Sequence, residues 1–393
     1  MIYMYKLIFL LFFLILSKDG FSQHLTYNKG GTKATNYFEE IPYQDINGKI
    51  IVKVRINQVD YNFLFDTGAP TCISPKILNA IGIEKGKRDQ VNDVNGKRVS
   101  SQAVIIKDIA LGHLNFNDIP AVTGVPDFFR CWNVDGIIGS NLLRHSIIEM
   151  NSQKKTIVIT DQIGKLQLGQ RTGISLSLDT IQSYPVFNVQ LSDKSTMPVH
   201  FDTGDNGLLS LSETSMEQFK KAKVYKSITK GYGANQIGAF GMEKNNQKFL
   251  LKFPVLDIDE IHLRNVFTVT GRGSGARMGS KILNYGIVTI DFINRRFYYK
   301  GDDKEIDLAE KQWPFQPAFS NNKMVVGIVW QEAGESVAPG EQIVEIDGIS
   351  FKDVDLCNLL INKPILEGKE HATVTIKSKK GDQRKLKIEK KYF

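Results

Sequence analysis

The chain has 393 residues, 42% hydrophobic and 23% charged, with a formal net charge of +8, six His and three Cys. That length allows two or three domains with a sizeable core. The positive charge is spread along the chain and densest from Lys377 to Lys391, no nucleic-acid motif accompanies it, and the His and Cys show no metal-ligand spacing, which excludes nucleic acid as a partner and argues against a metal centre.

In chain order, Lys6 precedes the apolar run Leu7 to Leu16, and small residues lead to Ser22 before Gln23. This reads as a signal peptide over 1–22, and ten apolar residues are too few for a membrane span, so none is expected. Residues 24–38 are polar and read as a loose lead-in. Asn47-Gly48 marks a tight hairpin, Phe63-Leu64-Phe65 a strand running into Asp66-Thr67-Gly68, and Ser74-Pro75 a capped helix to about Ile81. Val91 to Val99, centred on Asn95-Gly96, predicts a second hairpin, and Ile105 to Phe116 a strand pair turning at Gly112. Of the three Cys, at least one stays free or pairs outside the chain, and a Cys72 to Cys131 bridge is one option the sequence leaves open.

The tripeptide recurs. Asp202-Thr203-Gly204 follows Val199-His200-Phe201 as Asp66-Thr67-Gly68 follows its own apolar run. A lone copy, expected by chance about 0.1 times per chain of this size, would be ordinary turn chemistry. Two copies share a frame. Gly139-Ser140, a short helical turn and a strand ending at Asn151 come 73 residues after Asp66. Gly279-Ser280 with the same sequel to Asp291 comes 77 residues after Asp202. A duplicated lobe accounts for this, and the natural boundaries are 36–165 and 175–300.

On Asp66-Thr67-Gly68-Ala69-Pro70, Asp135-Gly136-Ile137-Ile138-Gly139, and Asp202-Thr203-Gly204 with Gly279, the chain resembles the aspartic proteases, most closely the bacterial retropepsin-like group. The resemblance covers about residues 40 to 300. It implies a mainly β fold of two pseudo-symmetric retropepsin-like (acid protease) β-barrel lobes. It also implies an aspartic-type endopeptidase with Asp66 and Asp202 as catalytic dyad, Thr67, Gly68, Thr203 and Gly204 in support, a peptide or protein substrate, and neither cofactor nor metal. Two carboxyls a few ångströms apart cannot both ionise; one takes a proton from water while the other donates to the scissile carbonyl. With both Asp on one chain, a monomer suffices. Two positions depart from the pattern. Ala69 and Asp205 stand where two-lobed members often carry a hydroxyl, and Arg277 stands where the first lobe has Ile137. The extra acid favours protonation of its neighbours, so the expected pH optimum is less acidic than that of a digestive aspartic protease.

Gly231 to Gly241 falls where the resembling family carries a flap, which makes Tyr232, Gly233 and Phe240 the candidate cleft cover; a plain surface loop is the other reading. Beyond a charged connector, Lys300 to Lys311, residues 313–393 form short strands around one helix, Val354 to Ile361. The run Pro339-Gly340-Glu341-Gln342-Ile343-Val344-Glu345-Ile346-Asp347-Gly348 resembles the core of a PDZ domain, and the module is read as PDZ-like α+β. That resemblance implies a peptide ligand added to a sheet edge, although the expected Gly-Leu-Gly-Phe-type loop is not evident near Phe319 to Met324. The whole reads as an exported bacterial endopeptidase, periplasmic or secreted. The competing class is a catalytically silent peptide-binding protein of the same fold, which loss of either Asp would have favoured; a structural or adhesion role is the weakest option.

Overall fold

The computed structural model describes residues 26–82, 88–93, 95–273, 275–352 and 354–393; the expected leader over 1–22 lies outside the described residues. No helix among them is long and apolar enough to cross a membrane. The chain is mainly β.

Alternation sets the first lobe. In Lys49–Ile56 and Val59–Phe65, every second side chain is apolar, and a two-residue turn joins them. Asn47 and Gly48 both take positive φ in the preceding hairpin, as the Asn-Gly pair requires. Val59–Phe65 pairs in parallel with Gly136–Ile138. That short strand is antiparallel to Cys72–Ile73, which is parallel to Leu114–Thr123. The helix Pro75–Ile81 is capped by the Ser74 hydroxyl, and Val91 faces Val99 across the second hairpin.

The second lobe repeats this wiring. Ser195–Asp202 is antiparallel to Pro185–Ser192 and parallel to Ala276–Gly279, which is antiparallel to Leu209–Ser212, itself parallel to Ile261–Gly271. Beneath both lobes, Ile147–Asn151 pairs antiparallel with Gly286–Asp291, Ile147 facing Asp291. Thr156–Thr160 and Phe38–Pro42 extend that sheet on one side, Arg296–Gly301 and Ile174–Leu178 on the other. One continuous apolar core runs through both lobes and this shared sheet.

The segment after the lobes has its own core, centred on Phe315, Val326, Ile343, Ile346, Val374 and Ile376. Its strand Lys323–Trp330 pairs with Lys226–Gly233 of the second lobe. Its helix Leu356–Ile361 lies against the first lobe's 3₁₀ helix Asp127–Trp132 through a Cys131–Cys357 disulfide, and Asn47 Nδ2 donates to the carbonyls of Leu360 and Asn362. The C-terminal module is therefore tied to both lobes.

Three expectations are corrected here. Cys72 does not pair with Cys131; it is a buried free thiol whose pKa burial pushes up. The lead-in is not loose: Tyr27 is buried, its amide donating to Ile181 O, and Gly31 pairs with Asn117. The connector Lys300 to Lys311 is stitched to the second lobe, where Glu305–Asp307 pairs in parallel with Ile261–Gly271.

Candidate active site

Each Asp-Thr-Gly begins where a strand with a fully buried inner face runs out: Phe63 and Phe65 anchor the first strand, Val199 and Phe201 the second. The two turns meet across the pseudo-twofold axis. Thr67 Oγ1 accepts from Thr203 N at 3.1 Å and donates to Phe201 O at 2.7 Å. Thr203 Oγ1 accepts from Thr67 N at 3.0 Å and donates to Phe65 O at 2.8 Å. Both Thr are fully buried, so every polar atom of this lattice is satisfied inside the protein. The glycines are required for contact, not flexibility: a Cβ on Gly68 would overlap the Asp202 carboxyl, and one on Gly204 would overlap that of Asp66.

The Asp66 and Asp202 carboxyls face each other across the axis, close enough to act on one another, and both are part-buried. Asp66 Oδ1 accepts from Gly68 N at 2.8 Å. Asp202 Oδ1 accepts from Gly204 N at 3.0 Å and Asp205 N at 3.2 Å, and its Oδ2 from the Tyr184 hydroxyl at 3.2 Å. Burial first, then the Asp202 charge, hold Asp66 well above the ordinary carboxylate range. Asp202 is also raised, by burial and then by Asp205, with Arg277 and Lys49 pulling the other way. The arrangement is a carboxyl pair that retains a proton, the state needed for one group to donate while the other accepts.

The two departures from the family pattern face each other. Asp205 accepts from Gly207 N and Ser210 Oγ, both at 2.8 Å, and Arg277 Nε stands 3.7 Å from both Asp205 Oδ2 and Asp202 Oδ2. Arg277 does not spoil the lobe's packing, because Ala276 and Met278 turn into the core while the guanidinium turns to the dyad. Alternation along the strand makes this possible.

Lys49 and Tyr184 are site residues that sequence reasoning missed. They occupy matching places, each two residues before a residue, Ile51 or Val186, that faces the strand two positions ahead of its Asp. Lys49 Nζ donates to Gly204 O, lies 5.8 Å over the Trp132 ring, and has its pKa lowered by burial against the pull of Asp205, Asp66 and Asp202. Gln182 Nε2 donates to Gly68 O at 3.0 Å on the other side. The signal was a lone charge or phenol at the head of an alternating strand, visible only once the two lobes are aligned by register.

The second-lobe hairpin exists, but its named residues divide. Phe240 is at the tip, in the turn joining Ile237–Gly238 to Gly241–Met242. Tyr232 and Gly233 lie at the base, Tyr232 facing Val329 of the C-terminal module and Gly233, at φ +141°, pressed on the backbone of Gly327. The tip meets the first-lobe hairpin. Phe240 N donates to Asp93 Oδ2 at 3.1 Å, Asn95 Nδ2 to Gly241 O at 3.1 Å, and Lys97 Nζ to Phe240 O at 3.0 Å. At the base, buried Glu243 takes Lys248 Nζ at 2.8 Å and the amides of Asn235 and Gln236 at 3.2 and 3.3 Å, fixing the hairpin's root.

Among solved structures, the chain is similar to the aspartic proteinase from Irpex lacteus, at 13% identity and a TM-score of 0.40. That match covers 68% of this chain and 98% of the other. It is also similar to the Basic 7S globulin from soybean, at 10% identity and a TM-score of 0.40, covering 67% and 94%. No curated protein matches the chain. The family model described as aspartyl protease matches residues 52–142, the stretch that contains Asp66-Thr67-Gly68 and the Gly136–Ile138 strand beside it.

Proposed function

We propose that the chain is an aspartic endopeptidase in which Asp66 and Asp202 activate water for attack on a peptide bond, with no metal or cofactor. The observation that carries this reading is the facing, part-buried carboxyl pair held by the Thr67 and Thr203 lattice. The ionised carboxylate takes a proton from water as it attacks. The protonated partner gives its proton to the carbonyl oxygen, and the tetrahedral intermediate collapses with a proton passed to the departing amine.

Thr67, Gly68, Thr203 and Gly204 keep the two carboxyls in register, and the meeting hairpins carrying Asn95 and Phe240 serve as cleft cover, opening for substrate. Both Asp belong to one chain, so the active unit is a monomer. Export to a periplasm or the medium of a bacterium accords with the leader over 1–22 and with a disulfide, which persists in oxidising compartments. The PDZ-like module recruits substrate or a partner peptide by strand addition.

The test is a diverse peptide library incubated from pH 3 to 8, read by mass spectrometry, with and without a statine-type inhibitor. Inhibitor-sensitive cleavage supports the reading. A folded chain that retains peptides but cuts none would make it a binding protein.

A further inference from the structure

The two carboxyls do not have equal surroundings, although the backbone around them is nearly symmetric. Asp66 receives one donor, the Gly68 amide, because the Ala69 amide donates to the Asp66 backbone carbonyl at 3.4 Å and not to its carboxyl. Asp202 receives the Gly204 and Asp205 amides and the Tyr184 hydroxyl, with the Arg277 guanidinium 3.7 Å away. Donors and nearby positive charge stabilise a carboxylate over a carboxylic acid. Arg277 Nε is buried with no hydrogen-bond partner among the described residues, so its charge is available to the site.

Resting on the endopeptidase reading, we propose that the dyad's resting proton sits on Asp66 and that Tyr184 and Arg277 are positioning residues that keep Asp202 as the carboxylate. Asp66 is then the group that donates to the substrate carbonyl and Asp202 the one that accepts from water. The asymmetry is written in the strands: Arg277 faces His200 where Ile137 faces Leu64, and Tyr184 stands where the first lobe has Lys49. The remaining charged or titratable groups acting on the pair are Lys49, Asp205, His200 and the buried Cys72 thiol, whose pKa is raised by burial and then by Asp66. Lys49, which donates to Gly204 O, acts on both carboxyls, on Asp66 no less than on Asp202, so it is not the source of the asymmetry set by Tyr184 and Arg277. Asp205 opposes Arg277. His200, its ring 4.5 Å from that of Tyr184, has its pKa lowered by burial and then by Arg277, with Asp202 and then Asp179 acting in the other direction.

The test has a catalytic arm and one that needs no catalysis. Removing a donor or cation from Asp202 makes its ionisation harder, so the acid limb of the kcat/KM profile moves to higher pH. Tyr184→Phe and Arg277→Met are each expected to move it by about one unit. Arg277→Lys retains the charge and stays near wild type, and Asp205→Asn moves the limb to lower pH. A merely structural role predicts none of these opposed shifts. In parallel, ¹³C NMR titration of carboxyl-labelled Asp should show two coupled steps. The lower step, carried mainly by Asp202, should move up in Tyr184→Phe. Limbs and NMR steps unchanged in Tyr184→Phe and Arg277→Met, or moved down, would overturn the proton placement. No cleavage of any peptide, with the NMR asymmetry intact, would remove the endopeptidase reading and leave the placement standing.

Discussion

Thr67→Val isolates the lattice that brings the lobes together. Valine keeps the shape and removes one hydroxyl, which stranded groups on both sides of the axis depend on: Thr203 N–H loses its acceptor and Phe201 C=O its donor. Both bonds lie where Thr67 and Thr203 are fully buried, so water does not replace them. Each unsatisfied buried group costs about 1–3 kcal/mol, giving about 2–6 kcal/mol in all. For a unit of this size that corresponds to a Tm lowered by roughly 5–15 °C. The assay is calorimetric unfolding beside Thr196→Val, an exposed position where the change should stay within about 0.5 kcal/mol. A Thr67→Val protein as stable as the Thr196→Val control would refute the claim that the two turns are locked to each other in the folded chain.

Gly204→Ala places a methyl on the Asp66 carboxyl and should abolish peptide cleavage while the chain still folds; wild-type turnover would contradict the close approach. Lys248→Met leaves Glu243 buried without its cation and should cost about 3–5 kcal/mol, read by denaturant titration. Reduction or Cys131→Ser frees a link between residues 226 apart; loop-closure reasoning gives at most about 5 kcal/mol, seen as earlier unfolding of the C-terminal module by hydrogen exchange. The pH dependence follows from the raised carboxyls. Both bind their proton more tightly folded than unfolded, so their contribution to stability is present below the ordinary carboxylate range and declines as pH rises toward their folded values. Asp66→Asn should therefore melt higher than wild type at pH 7 and lose that advantage at pH 3.5, and wild-type cleavage should persist above pH 5.

Much of this arrangement was legible because it is periodic or repeated. The strands around Asp66 and Asp202, the Ser74 cap and the Asn47-Gly48 turn follow from local chemistry, and two tripeptides in one frame imply a pair. What was not legible depends on contacts between distant segments. Cys131 meets Cys357 only because the C-terminal helix docks on the first lobe's 3₁₀ helix, and composition cannot foretell that docking. Tyr184 and Lys49 reach the dyad from neighbouring strands, so their roles emerge from register. Arg277 looked like a fault in an apolar motif because the motif was read as core, whereas its strand has one face in the core and the other on the carboxyls. Gly233 read as part of the cleft cover, yet it sits at the hairpin's base, where the lack of a side chain lets it press on the backbone of Gly327. Glycine's two uses, freedom and lack of a side chain, are indistinguishable until the neighbour is known.

The central claim is that Asp66 and Asp202 act as one catalytic unit. The most direct measurement compares single-turnover cleavage of one library-selected peptide by wild type, Asp66→Asn, Asp202→Asn and the double variant, all at the wild-type pH optimum. The account predicts that each single variant loses at least about a hundredfold in rate, that the double loses little more, and that all four still bind the peptide. Cleavage by either single variant at a rate close to wild type would contradict it.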